Sequence, residues 1–240
     1  MSQSILQAVQ DLNHQVRSFA FAEPVDTVYN PLDYEWRPLS TYISRFARDD
    51  GQVLLLGMNP GPWGMAQTGV PFGDVSKVRD WMRVQEAVEA PREQHVKVPV
   101  RGFECPRGEV SGQRLWGWAQ SRFGEPEAFF KHYFVYNYCP LCFLEPSGRN
   151  LTPDKLQAAD KRALFEACDE ALRALVSVMR PAAVIGIGRF AEQRSRQALS
   201  AQSLSIGCVA HPSPANPAAN RGWSALMDQA LHDWGLPIAS

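Results

Sequence analysis

Four continuous apolar runs constrain the fold of this 240-residue chain more than any other feature of its sequence. None of them alternates between polar and apolar residues, and they occupy residues 53–59, 133–138, 182–188 and 204–211. Continuous runs of this length are typical of parallel strands that are covered on both faces. Because helical patterns lie between them, the sequence predicts an α/β fold, a three-layer α/β/α sandwich with a central four-stranded parallel sheet.

The helical patterns are segments in which apolar residues recur at helical spacing. The longest covers residues 154–180, and Asp154 is expected to cap its first turn. Shorter patterns follow at 189–199 and 220–234. No repeat or low-complexity tail interrupts this alternation, so we expect a single domain that spans residues 1–240.

The composition and charge of the chain limit its partners. With 45% hydrophobic and 20% charged residues it has an ordinary globular composition, and its net charge is −1. This balance excludes a strongly basic coat, so a nucleic acid must be bound by a local patch. No apolar run approaches the length of a membrane span, and the first residues lack the pattern of a signal peptide. We therefore expect an intracellular protein without a membrane partner.

The five cysteines, at positions 105, 139, 142, 168 and 208, form no regular disulfide framework and are expected to be reduced thiols. Cys139 and Cys142 have the spacing of a redox or metal motif, but the sequence contains no second pair of this kind. We interpret them as small buried side chains near a strand end. Neither a metal nor a cofactor is expected.

Polar side chains follow three of the four apolar runs: Asn59, Asn137 and His211. In an open parallel sheet, ligands bind outside the carboxyl ends of the strands. Each residue alone has an ordinary structural interpretation, such as a turn before proline or a bond to the backbone. Their convergence on one rim favours a site that acts on a flat heterocycle.

Several long motifs resemble the single-strand-selective monofunctional uracil-DNA glycosylases, within the uracil-DNA glycosylase superfamily. The two most similar are GMNPGPWGMAQTGVPFGDV at 57–75 and HPSPANPAANRGW at 211–223. VYNPLDYEW, RGFECPRGEVSGQRLWGW, NYCPLCFLEPSGRNLTP and GIGRFAEQR extend the likeness across most of the chain. The resemblance implies a DNA base-excision repair glycosylase that flips uracil out of DNA and hydrolyses its N-glycosidic bond. It also implies a uracil-DNA glycosylase-like fold.

The chemistry of this reaction assigns roles to two residues. Asn59 can orient the attacking water through its amide oxygen, although as an amide it is a poorer base than a carboxylate. His211 can donate a hydrogen bond to the negative charge that develops on uracil O2, and a neutral imidazole is sufficient for this. Neither of the two motifs contains a lysine, so a Schiff base and strand cleavage are not implied, and the product is an abasic site.

Recognition of the flipped base requires other residues. Asn137 can accept a hydrogen bond from uracil N3–H and donate one to O4, whereas cytosine presents the reverse pattern. Phe72 resembles the family's stacking residue, and Met58 and Met65 are expected to line the pocket, although core packing is the alternative for all three. Gly61 leaves room at uracil C5, which the resemblance links to excision of 5-hydroxymethyluracil as well as uracil.

Two segments are expected to contact DNA. The resemblance assigns the first to Ser147, Gly148, Arg149 and Asn150, with Arg149 as a phosphate ligand. The second follows His211 and forms a wedge, with Pro212, Ser213, Pro214, Asn216, Asn220 and Arg221. Some relatives have a basic residue after HPSP, where this chain has Ala215. The expected partner is single- or double-stranded DNA that contains uracil, bound by a monomer. We expect the protein in the cytoplasm, associated with the nucleoid, if it is bacterial, and in the nucleus if it is eukaryotic.

Two other classes of function remain open from the residues alone. A lesion-binding protein without turnover is one, because an amide replaces the usual carboxylate in the first loop. The other class is a hydrolase that uses the same polar residues at the strand ends to act on free nucleosides. Retained binding without an abasic product would indicate the first, and activity on deoxyuridine but not on oligonucleotides would indicate the second.

Overall fold

The computed structural model describes residues 2–238. Its strands are β1 (Thr27–Tyr29), β2 (Val53–Gly57), β3 (Tyr133–Asn137), β4 (Cys142–Leu144), β5 (Asn150–Leu151), β6 (Ala183–Ile187) and β7 (Ser205–Val209). Four of them form a parallel sheet in the order β3-β2-β6-β7. This confirms the predicted α/β fold and its four-stranded parallel sheet. Each strand ends one or two residues before the end of the apolar run that predicted it.

The helices of residues 2–238 are packed around this sheet. They are α1 (Ser2–Val16), α2 (Pro31–Tyr34), α3 (Trp36–Phe46), α4 (Met65–Thr68), α5 (Val110–Phe123), α6 (Pro126–Phe130), α7 (Ala158–Met179), α8 (Arg189–Ala198), α9 (Pro217–Asn220) and α10 (Trp223–Asp233). α1 contacts α3 and α7, while α5 contacts α6 and α10. Within that described range, no helix combines the length and apolar character needed to cross a membrane.

The parallel sheet lies at the centre of the core. Every residue of β2, β3 and β6 is buried, and successive side chains of a strand point to opposite faces. Both faces of these strands are therefore covered. Leu54, Leu55 and Leu56 are fully buried, which stabilises the fold by about 1.5–3 kcal/mol for each side chain. In the pairing of β2 with β3, Gly57 lies opposite Asn137, so the two loops that follow these strands begin side by side.

A second, antiparallel sheet in the order β1-β4-β5 lies outside these predictions. Its strands have only two or three residues, which is too short to produce a recognisable pattern. Cys142 lies within β4, and Cys139 lies between β3 and β4. Both are fully buried free thiols, in agreement with their interpretation as small packed side chains near a strand end.

The start of the long helix differs from the expectation, and one further helix was not predicted. Asp154 does not cap the long helix, because it lies in a 3-10 turn, Pro153–Lys155, and the extended residue Leu156 separates that turn from α7. Gln157 occupies the N-cap position and makes no side-chain capping bond. The helix α5 was not predicted, since its two glycines weaken the helical pattern.

Candidate active site

A cavity of about 590 Å³ opens at the carboxyl end of the parallel sheet. The loops after β2 and β7 supply most of its lining, and the rest comes from residues around β5 and the start of α5. Ten of the predicted site residues line it: Met58, Asn59, Gly61, Met65, Phe72, Asn150, His211, Ser213, Pro214 and Asn216. A larger groove of about 720 Å³, lined by residues of α1 and the segment 89–93, contains none of the predicted site residues.

The side chain of Asn59 is held at one end of its amide. Its Nδ2 donates to the carbonyl oxygen of Leu141 at 3.1 Å and to that of Pro60 at 3.3 Å. Within residues 2–238, no group donates a hydrogen bond to its Oδ1, and the side chain lines the cavity. Because Nδ2 is engaged by backbone, the free oxygen is the atom that can orient a water molecule.

The imidazole of His211 is held in one tautomer. The backbone N–H of Ser213 donates to its Nδ1 at 3.1 Å, so the neutral ring carries its proton on Nε2. Burial disfavours the charged form and lowers the pKa of His211 to about 4. The cavity therefore contains a neutral imidazole with an Nε2–H donor.

Phe72 lies beside His211 in an unusual backbone conformation. The two ring centroids are 5.9 Å apart with an interplanar angle of 43°, and Phe72 has a φ of 54°. Its carbonyl oxygen accepts hydrogen bonds from Trp116 Nε1 at 2.9 Å and from the backbone N–H of Asp74 at 2.8 Å. A Cβ at Gly112 would lie 1.9 Å from that oxygen, so only glycine permits α5 to approach so closely. These contacts hold a half-buried aromatic ring at the cavity wall.

Asn137 lies beneath the cavity and does not line it. The residue is 3% exposed, its Oδ1 has no hydrogen-bond partner within residues 2–238, and its Nδ2 contacts the sulfur of Met65 at 3.3 Å. A Cβ at Gly57 would lie 2.3 Å from Asn137 Oδ1 and 2.6 Å from the Phe72 ring. Gly57 thus leaves the space in which the amide and the ring meet. A buried amide oxygen without a hydrogen-bond partner is costly, and a ligand that donates a hydrogen bond to it would remove this cost.

Gly61 faces an acidic side chain that the sequence did not identify as part of the site. A Cβ at position 61 would have Glu109 Oε1 as a neighbour at 3.8 Å, which is an ordinary contact. Glu109 precedes α5 and caps it, since its carboxylate accepts from the backbone N–H groups of Ser111 and Gly112. Burial raises the pKa of Glu109 above its ordinary value. The space at Gly61 is therefore open and bounded by a carboxyl group.

The loop after β7 is held by its own amides. Asn216 caps α9 by accepting from the N–H of Ala218 at 3.1 Å, and it donates to the carbonyl oxygen of His211 at 2.9 Å. Asn220 donates to the carbonyl oxygen of Pro214 at 2.8 Å. Both amides, predicted as DNA contacts, thus have structural partners. Arg114 also holds this loop, with bonds to the Pro212 carbonyl oxygen and Asn220 Oδ1, although the sequence did not indicate it.

The predicted DNA contacts of the first segment lie in the turn between β4 and β5 and at the start of β5. Gly148 has a φ of 83°, and the hydroxyl of Ser147 accepts from the N–H of Arg149 at 3.2 Å. Arg149 makes two hydrogen bonds with Glu145, at 2.9 and 2.6 Å, so its guanidinium is already paired with a carboxylate. Arg221, in the loop that contains His211, is exposed. Of these residues and Asn150, only Asn150 lines the cavity.

Further lining residues carry polar or aromatic groups that had no assigned role: Trp63, Arg107, Glu109, Ser111 and Thr152. All of them lie within motifs that carried the family resemblance. The signal that could have indicated Glu109 is its place directly before a helix, where an acceptor side chain caps free N–H groups. Within residues 2–238, no three His, Cys, Asp or Glu side chains are arranged to hold a metal ion.

Comparison with known proteins identifies the family to which the chain belongs. A sequence model described as the uracil DNA glycosylase superfamily matches residues 44–235. The single-strand selective monofunctional uracil DNA glycosylase of Bos taurus is 47% identical over 238 residues, covering 98% of this chain and 88% of the bovine protein. The Rattus norvegicus protein of the same name is 46% identical, covering 98% of this chain and 86% of its own length.

A solved structure shares the fold. The crystal structure of wild-type SMUG2 from Pedobacter heparinus has a TM-score of 0.69 and 17% identity, covering 98% of this chain and 96% of that one. The bovine and rat proteins match nearly the whole chain, and almost half of the aligned residues are identical. This chain therefore belongs to the single-strand selective monofunctional uracil-DNA glycosylases, within the uracil DNA glycosylase superfamily.

Proposed function

We propose that this protein excises uracil from DNA by hydrolysis, with Asn59 directing the water and His211 stabilising the departing base. The observation that carries this proposal is the way both side chains are held. Backbone groups engage Asn59 Nδ2 and His211 Nδ1, which leaves Asn59 Oδ1 and His211 Nε2–H for the cavity. One acceptor for water and one donor for an oxyanion are the two groups that the reaction needs.

The departing base is stabilised by a preorganised donor. As the N-glycosidic bond lengthens, electrons move toward uracil and negative charge develops on O2. A neutral His211 donates its Nε2–H to this oxygen, and the tautomer needs no rearrangement because Ser213 already holds Nδ1. The low pKa of His211 means that the ring stays neutral at physiological pH. The water on Asn59 attacks the sugar cation that remains, and the proton that this water releases neutralises the uracil anion, so the products are uracil and an abasic site.

Asn137 recognises the Watson–Crick edge of the flipped base. Its Oδ1 accepts from uracil N3–H and its Nδ2 donates to O4, which satisfies a buried oxygen that has no partner within residues 2–238. Since Met65 contacts Nδ2 in the ligand-free protein, the methionine side chain moves aside as the base enters. Phe72 then covers one face of the ring.

The substrate range follows from the space at Gly61. We expect 5-hydroxymethyluracil to be accepted with uracil, because a C5 substituent meets no side chain at position 61. Thymine is disfavoured, since its methyl displaces water without replacing the hydrogen bonds of that water. No lysine lines the cavity within the described residues, which supports hydrolysis without strand cleavage. The protein acts as a monomer on single- and double-stranded DNA.

A single-turnover assay tests this function. Oligonucleotides containing uracil, 5-hydroxymethyluracil, thymine or hypoxanthine are compared in single- and double-stranded form, with Asn59→Ala and His211→Ala beside the wild type. We expect abasic product from the first two bases and strong losses in both variants. Unchanged rates in both variants would place the site elsewhere. Tight binding without product would favour a lesion-binding protein, and cleavage of free deoxyuridine alone would favour a nucleoside hydrolase.

A further inference from the structure

The guanidinium of one arginine at the mouth of the cavity has no hydrogen-bond or ion-pair partner within residues 2–238. Among the lining residues, which all belong to the described part of the chain, Arg107 is the only Lys or Arg. Its guanidinium carbon lies 4.1 Å from the ring centroid of Trp63, another lining residue. Within residues 2–238 the guanidinium forms no ion pair and donates no hydrogen bond, and the residue is exposed.

Two other arginines near the site are engaged, and the exposed Arg221 does not line the cavity. Arg149 is paired with Glu145 through two hydrogen bonds, and Arg114 donates to the Pro212 carbonyl oxygen and to Asn220. The one acidic residue among those that line the cavity, Glu109, accepts from two backbone N–H groups at the start of α5. Arg107 is therefore the cation at the cavity mouth whose donors remain available.

We propose that Arg107, stacked on Trp63, binds a backbone phosphate next to the flipped nucleotide. A guanidinium presents five N–H donors in a planar fork that matches phosphate oxygens, and stacking on an aromatic ring leaves those donors free at the edge of the plane. Trp63 belongs to the loop that contains Asn59, so this contact joins the phosphate to the catalytic loop. The inference rests on the proposed function, because it requires that a nucleotide of a DNA strand occupies the cavity.

A single phosphate contact has a measurable salt dependence. Binding is measured with a single-stranded oligonucleotide that carries an uncleavable abasic analogue, over a series of salt concentrations. Arg107→Ala should weaken binding about tenfold at low salt, as loss of a charged hydrogen bond does. It should also reduce the slope of log K against log salt by about 0.7, the value for one phosphate of a single strand. Arg107→Lys keeps the charge and should keep the slope.

Three further variants make the comparison specific. Arg92→Ala removes an exposed arginine from the separate groove near α1 and should change neither affinity nor slope. Arg149→Ala should change the slope less than Arg107→Ala, because Glu145 already neutralises that guanidinium. Ala215 is exposed and lines the same cavity from the loop after β7, so Arg107→Ala with Ala215→Arg should recover the lost slope.

The outcome separates the two proposals. A phosphate contact that is equally strong in the ground state and the transition state predicts that Arg107→Ala lowers kcat/KM about tenfold, and that this loss appears in KM. A wild-type slope in Arg107→Ala would overturn the phosphate site even if uracil excision is normal. Conversely, absence of excision by the wild type together with a reduced slope in Arg107→Ala would reject the proposed function and retain the phosphate site.

Discussion

The backbone N–H of Ser213 donates a hydrogen bond to Nδ1 of His211 at 3.1 Å, and this contact determines which nitrogen of the ring carries the proton. The donor that remains, Nε2–H, belongs to a ring whose pKa is lowered to about 4 by burial. The residue thus offers a neutral hydrogen-bond donor over the whole physiological pH range.

Removal of this donor should slow excision of uracil by about 100- to 1,000-fold, because one oxyanion donor contributes about 3–4 kcal/mol to the transition state. The change is His211→Ala, and the measurement is the single-turnover rate at saturating DNA. Because the ring is neutral in this range, protonation of His211 should not lower the wild-type excision rate between pH 8 and about pH 5. A decline of the rate with an apparent pKa near 6.5 would contradict the neutral ring.

Gly57→Ala should reduce excision activity more strongly than it reduces the stability of the fold. The added Cβ would meet Asn137 Oδ1 and the Phe72 ring at 2.3 and 2.6 Å, so both groups must shift. We expect a loss of about 1–3 kcal/mol in the free energy of unfolding, as in other overpacked cores. Displacement of the two binding groups should lower kcat/KM for uracil about 100-fold.

Gly117→Ala is the matched control for this variant. Gly117 lies inside α5, and a Cβ there would meet no atom within 4 Å. The change should stabilise the protein by about 0.5–1 kcal/mol and leave excision unchanged. Thermal unfolding and single-turnover rates measured on both variants test the pair, and equal activities would show that the space at position 57 has no part in base recognition.

Gly61→Tyr should narrow the substrate range toward plain uracil. A tyrosine fills the open space between Gly61 and Glu109, so a 5-hydroxymethyl group no longer fits, whereas the hydrogen at C5 of uracil does. Gly61→Ala is the control, because its Cβ makes only an ordinary contact at 3.8 Å and should preserve both activities. A mixture of two oligonucleotides, one containing each base, gives the ratio of the two excision rates directly. Equal excision of both bases by the tyrosine variant would refute this account.

Glu35 should make the stability depend on pH. Its carboxyl group is fully buried and both oxygens lack hydrogen-bond partners within residues 2–238, and burial raises its pKa to about 10 from an ordinary 4.5. Between these values the folded protein keeps a proton that the unfolded chain releases. The free energy of unfolding should therefore fall as pH rises, by up to about 1.4 kcal/mol per pH unit from this group.

Glu35→Gln removes this titration, so the variant should gain stability relative to the wild type as pH rises from 5 to 9. Denaturant unfolding at several pH values measures the difference between the two proteins. Parallel pH profiles would mean that Glu35 keeps an ordinary pKa in the folded protein, which would require polar partners for its carboxylate.

The sequence predicted the parallel sheet well because three of its four strands are buried on both faces, and continuous apolar runs such as Val53–Gly57 record that burial directly. It did not predict β4 or β5, because strands of two or three residues have no periodicity to detect. The start of α7 was wrong because Asp154 belongs to a separate 3-10 turn, whose Pro153 and extended neighbour Leu156 interrupt the pattern.

The loop residues that meet at the cavity were predicted from their places at strand ends. Asn59 and His211 line one cavity, in agreement with the rule that carboxyl ends of parallel strands share an edge. The partner of Asn59 was not predictable, because the Leu141 carbonyl that holds its amide is 82 residues away along the chain. Side chains such as Arg107 and Glu109 carry no local pattern that marks them as lining a cavity.

What the sequence alone determined is the sheet, the motifs that identify the family, and the identity of the groups at the strand ends. These depend on local composition and on patterns that burial imposes within a few residues. The tertiary structure fixes which end of the Asn59 amide is free, which arginine of the cavity lining lacks a partner, and how deep Asn137 lies beneath Met65. Those properties depend on contacts between residues distant in sequence, and the free atoms that such contacts leave are the ones that can act on a base.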